Sequence, residues 1–93
     1  MTQKDSINKL DQLIGKNLIT LRKKNAISRT ELSQAMNINY KTLWNCENGF
    51  NSLSINLLIK MRPIFREKNI TLEMLFENIV VSALEQYESD NNK

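Results

Sequence analysis

A chain of 93 residues, 41% apolar and 25% charged, has room for one folded domain around one modest core, and too little for two. It has no histidine and a single cysteine, Cys46, which excludes an internal disulfide, a His/Cys zinc site and the imidazole-based nucleophile–base pairs of many hydrolases. The expectation is therefore a protein that is not an enzyme and carries no metal or cofactor. The net charge of +3 is unevenly spread. Residues 16–50 set Lys16, Arg22, Lys23, Lys24, Arg29 and Lys41 against Glu31 and Glu47, whereas residues 71–93 set Lys93 against Glu73, Glu77, Glu85, Glu88 and Asp90. A polyanion would be met by the front half. Taken alone, the charge pattern fits a solvated mixed surface better. No apolar stretch is long enough to span a bilayer, and Met1–Asp5 lacks the apolar run of a secretory signal, so no membrane association and a cytoplasmic location are expected.

Helix-period apolar spacing runs through almost the whole chain, and alternating β-branched runs are missing, which predicts an all-α fold. The first helix is expected over about Asp5 to Lys24, with Ile7, Leu10, Ile14, Leu18 and Leu21 on one stripe. Asn25 and Ala26 break the pattern. Ser28 with Glu31 forms a capping box that opens a second helix to about Met36, its buried face carrying Leu32, Ala35 and Met36, with Ser33 as a second small residue. Asn37-Ile38-Asn39 reads as a tight turn. Asn37 tolerates positive φ, Ile38 plugs the core, and Asn39 caps a third helix from Tyr40 to about Asn48. On that helix Leu43, Cys46 and Glu47 share one side; Tyr40, Lys41, Trp44, Asn45 and Asn48 share the other. Gly49 stands where a helix ends.

Phe50–Leu53 is a connector. Ser54 caps a fourth helix bearing Ile55, Leu58, Ile59 and Met61, which Pro63 should kink or split, and a short turn of helix follows over Ile64–Lys68. Thr71 caps a last helix, with Glu73 at its positive end, whose stripe of Leu72, Leu75, Phe76, Ile79, Val80, Leu84 and Tyr87 continues almost to the C-terminus. The expected architecture is one domain over 1–93, a compact bundle of about five helices. It has a central helix-turn-helix core over 12–76 and an extended C-terminal helix with an acidic tail over 77–93.

Ile14–Asn25, Ser28–Asn39 and Thr42–Gly49, taken in register, resemble the helix-turn-helix family of phage repressors and Cro proteins, the XRE or lambda-repressor-like family. The likeness covers residues 14–76. It implies a sequence-specific DNA-binding transcriptional regulator, chiefly a repressor, whose third helix enters the major groove. Tyr40, Lys41 and Asn45 map to positions that reach base edges, Lys41 toward guanine and Asn45 toward adenine. Arg29 stands where the family grips a phosphate, and Asn48 and Asn51 where it touches the backbone. Asn39 and Thr42 complete the expected DNA-binding set. Trp44 divides evenly between a DNA contact and packing on neighbouring side chains. Arg22 and Glu47 correspond to a structural ion pair; Cys46, by its own chemistry, reads as a small core residue and not a reactive thiol. The chain departs from the family pattern at Leu53, where a proline is usual, at Pro63, and at Arg66–Asn69, which lengthen the segment before Ile70. The apolar stripe also outruns the family core beyond Phe76. That surplus implies a homodimer contact through Met74, Val81 and Leu84, on two DNA half-sites about 34 Å apart; the competing reading folds the helix back onto its own core. A different class of function also stays open, a protein-interaction module such as an antitoxin or accessory subunit, or regulation by a protein partner.

Overall fold

A computed structural model describes residues 8–91. Every regular element among them is helical: α1 Lys9–Lys24, α2 Arg29–Met36, α3 Tyr40–Glu47, α4 Ile55–Lys60, α5 Arg62–Arg66 and α6 Leu72–Phe76, then a π-helical turn Glu77–Val81 and α7 Ser82–Asn91. The last three run on as one rod. The part of the first predicted helix before Asn8, including Ile7, lies outside the described residues.

The starts of these helices are written in short polar side chains. Ser28, Ser54 and Thr71 each accept a hydrogen bond from the backbone N–H three residues on, and Asn8 does the same for Asp11. Asn39 accepts from Lys41 N–H instead. The capping box is complete, since the Glu31 carboxylate also accepts from Ser28 N–H at 2.9 Å. Pro63 does split the fourth helical segment. It sits in the first turn of α5, where its missing N–H costs nothing, and so opens a helix instead of kinking one.

Four helices end alike. Ala26, Asn37, Gly49 and Asn69 have φ of 58°, 55°, 80° and 64°. In each case the N–H of the following residue (Ile27, Ile38, Phe50, Ile70) bonds to a carbonyl five residues back, the Schellman closure.

One core joins the elements: Leu18 and Leu21 of α1, Leu32 and Met36 of α2, Leu43 of α3, and Leu58, Met61, Phe65, Leu75 and Ile79 beyond. Ala35, expected inside, is exposed; Ser33 takes the buried place on α2. Gly15 lies where α1 crosses α3. A Cβ there would press on the carbonyl oxygens of Cys46 and Glu47, 2.5 Å from the latter, so the two backbones touch at this point.

The end of the chain corrects one premise of the sequence reading. The long last helix does not project away from its domain; it lies back along α1. Leu75, Ile79 and Ala83 are its buried residues, and the Asn17 amide of α1 donates to the Ile79 carbonyl. Residues four apart drift about 40° per step around a regular α-helix. In the π turn Ser82 N–H reaches back five residues to Glu77, and this wider winding keeps all three on the face toward α1.

Candidate nucleic-acid interface

α2 and α3 are two eight-residue helices joined by Asn37–Asn39, with Asn37 in the left-handed region that reverses the chain. α3 turns Leu43, Cys46 and Glu47 inward. Tyr40, Lys41 and Asn48 are exposed on its other side, with Thr42, Trp44 and Asn45 half-buried between them. Asn51 follows, exposed, its N–H bonded to the Asn45 carbonyl. The face that the sequence singled out is therefore contiguous.

Beneath it lies an ion cluster. Arg22 donates from Nε (2.7 Å) and Nη2 (3.2 Å) to the Glu47 carboxylate, and from Nη1 to the Ile27 carbonyl. Both partners are buried, as expected of the structural pair. Glu47, however, serves a second arginine: Arg29 Nε donates to its Oε1 at 2.7 Å. Arg29 Nη1 in turn donates to the Tyr40 hydroxyl at 3.0 Å, and the guanidinium carbon sits 5.6 Å from the centre of the Tyr40 ring. Arg29 is thus a strut between α2 and both ends of α3, a second role beside the phosphate contact that the resemblance implies. Its Nη2 makes no hydrogen bond among the described residues. The hydrogen bond to Glu47 holds the Arg29 pKa above its ordinary value, so the group stays cationic. Two arginines on one carboxylate leave the cluster positive.

The middle and far end of α3 are ordered by aromatic contacts. Lys41 Nζ lies 4.3 Å from the centre of the Trp44 ring, and Trp44 stacks on Phe50 with centroids 5.7 Å apart and planes 15° off parallel. Phe50, 53% exposed, is a member of this face that residue-by-residue reading missed. Its signal was position: it directly follows the helix-ending Gly49, where an apolar residue packs back on the last turn. Two asparagines of the expected set are partly committed. The Asn39 oxygen caps α3, and the Asn48 amide donates to the Trp44 carbonyl at 2.9 Å. The Asn45 side chain makes no hydrogen bond among the described residues. Burial pushes the Cys46 thiol pKa up, and Asp11 and Glu47 add to the effect, in keeping with an inert core thiol.

Away from α3, an apolar groove of about 490 Å³ is lined by Ile55, Leu58, Ile59, Leu72, Phe76 and Val81, with Glu73 and Glu77 beside them. Val81, one of the three expected dimer contacts, lies in it; Met74 and Leu84 are exposed but are not part of its lining. No described helix is long and apolar enough to cross a membrane. No protein-family model matches the chain, and neither a curated protein nor a solved structure does.

Proposed function

We propose that this chain is a sequence-specific DNA-binding regulator of transcription, acting in the cytoplasm as a repressor on an inverted repeat. The observation that carries the reading is the outward face of α3. Lys41 and Asn45 stand there one helical turn apart, with hydrogen-bonding groups unspent on the protein, on a helix fixed from below by the Arg22–Glu47–Arg29 cluster. Lys41 suits the acceptors of guanine, and Asn45 the donor and acceptor of adenine. Arg29 Nη2 and the exposed Asn51 suit the flanking phosphates. The resemblance of Ser28–Gly49 to the phage-repressor helix-turn-helix supports the same reading.

Selection from a randomised duplex pool, followed by gel shift, tests it. The Lys41→Ala/Asn45→Ala double variant should keep weak, salt-sensitive binding and lose its preference for the selected duplex. An unchanged preference refutes the assignment of the readers. Dimerisation through the exposed apolar side chains of the last rod is part of the proposal. Sedimentation as a monomer at micromolar concentration, with and without the duplex, sinks that part alone.

The groove along Ile55, Ile59 and Phe76 favours a second reading, a protein-interaction module that docks a partner chain there. In that case Ile59→Lys would abolish partner capture, while the Lys41→Ala/Asn45→Ala variant would leave it intact.

A further inference from the structure

Tyr40 opens α3 and is 46% exposed, yet its oxygen is already engaged. A phenol hydroxyl ordinarily serves a partner in either direction, accepting through its oxygen or donating through its hydrogen. Here Arg29 Nη1 takes one lone pair of the oxygen at 3.0 Å and sets a guanidinium charge beside the other. A guanidinium has donors only and does not deprotonate, so this bond never reverses. Arg29 is itself held by Glu47 at 2.7 Å, and Glu47 is buried and bound by Arg22 from the other side. A further donor approaching the Tyr40 oxygen would meet a fixed positive charge. What the hydroxyl has left to offer is its hydrogen.

We propose that Arg29 makes Tyr40 a one-way hydrogen-bond donor at the head of α3, so that Tyr40 selects acceptors on the duplex and rejects exocyclic amines. The acceptor is either a phosphate oxygen or a major-groove base atom: N7 of a purine, O6 of guanine or O4 of thymine. Arg29 is the positioning residue and Tyr40 the contact. The inference rests on the DNA-binding reading above and adds to it a polarity at one named residue.

Wild type, Tyr40→Phe, Arg29→Met and their combination are titrated with the duplex that wild type selects, and with its single base-pair exchanges. Arg29→Lys, which keeps a charged donor, serves as the conservative variant. Thermal melts confirm folding. Tyr40→Phe changes an exposed side chain, keeps the fold, and tests the donor by itself. It should weaken binding about tenfold. A loss equal on every duplex identifies a phosphate; a loss confined to duplexes with one particular base pair at one position identifies a base edge. Both outcomes support the proposal. Arg29→Met should cost less in the Tyr40→Phe background than alone, and Arg29→Lys should restore part of the Tyr40-dependent binding. A merely structural Arg29 would give the same loss in both backgrounds. The proposal is overturned if Tyr40→Phe binds as wild type does while Lys41→Ala loses selectivity. Additive losses of Arg29→Met and Tyr40→Phe overturn it too, as does a base-edge loss that persists when the acceptors of that base pair are removed, the purine N7 by its 7-deaza analogue. If wild type selects no duplex at all, the DNA-binding reading fails, and this inference with it.

Discussion

Glu47→Gln isolates what the buried cluster contributes. The wild-type carboxylate accepts three charge-assisted hydrogen bonds, two from Arg22 and one from Arg29. Its side chain is fully buried, that of Arg22 is 6% exposed, and that of Arg29 is 24% exposed. Glutamine keeps the volume but turns one acceptor into an amide donor facing a guanidinium N–H, and leaves the Arg22 charge buried without a counter-ion. Breaking a buried pair in this way costs about 3–5 kcal/mol. The Arg29 arm reaches water and adds little. The expected loss, about 3–4 kcal/mol, is a large share of the roughly 5–14 kcal/mol that a domain of this size possesses. It should lower the melting temperature by roughly 15–25 °C. Urea unfolding followed by Trp44 emission and by circular dichroism measures it directly, because Trp44 is the only tryptophan. The companion Arg22→Met/Glu47→Leu variant removes both buried charges together and should recover most of the loss. A cost for Glu47→Gln below about 1 kcal/mol would refute the reasoning. So would a double variant no more stable than the single one, since the cluster would then be holding shape and not charge.

Ala26→Gly should stabilise the fold by about 0.5–1 kcal/mol in the same melts, because Ala26 sits at φ 58° where a Cβ is strained and glycine is not. Gly15→Ala should lose about 1–2 kcal/mol although alanine is the better helix former, since its Cβ would meet the backbone of Cys46 and Glu47, which cannot give as a side chain can. Ser28→Ala should cost about 1 kcal/mol by removing the cap of α2. The backbone N–H of Ser28 holds the Glu31 carboxyl below its ordinary 4.5. The stability that wild type gains over Glu31→Gln is therefore present above that pH and lost as the pH falls through the folded-state value, which urea melts across acid pH will show.

Four helix starts were legible because each is decided within four residues, whereas the first helix begins at Lys9 behind its Asn8 cap and not near Asp5, and α5 begins at Arg62 and not at Ile64. Ser28, Asn39, Ser54 and Thr71 precede apolar-periodic runs, and a short polar side chain there has an N–H within reach whatever the rest of the chain does. The two sides of α3 were legible for a related reason, since Leu43, Cys46 and Glu47 share a face by helical geometry alone. The Arg22–Glu47 pair is different: 25 residues separate its members, and no periodicity joins them, so it came only with the family resemblance. What escaped is tertiary. The structural bond of Arg29 is one such feature, because nothing local says that the same carboxylate, 18 residues on, has an oxygen for it as well. Gly15 carried a detectable signal, a glycine inside a helical pattern, which costs about 1 kcal/mol against alanine and so wants a packing reason. The course of the last rod turned on a π turn. No residue type announces one, and without it the apolar stripe beyond Phe76 reads as uncovered.

Four described helices close with the same Schellman turn. Ala26, Asn37, Gly49 and Asn69 each turn the chain in the left-handed region, and each is followed by an apolar residue. Ile27 is buried, and Ile38 and Ile70 pack against the core. Phe50 alone lies outside, over Trp44. An exposed phenylalanine forgoes the burial that its three counterparts obtain, and the stack offsets only part of that. The result is a face ordered at both ends: Arg29 and Tyr40 at the start of α3, Trp44 and Phe50 at its close, and Lys41 drawn over the Trp44 ring between them. Side chains already confined have less rotamer freedom to lose on binding, about 0.5–1.5 kcal/mol for each. On the DNA-binding proposal, the Trp44–Phe50 stack therefore makes physical sense as the means of holding Lys41 in place, as Arg29 holds Tyr40.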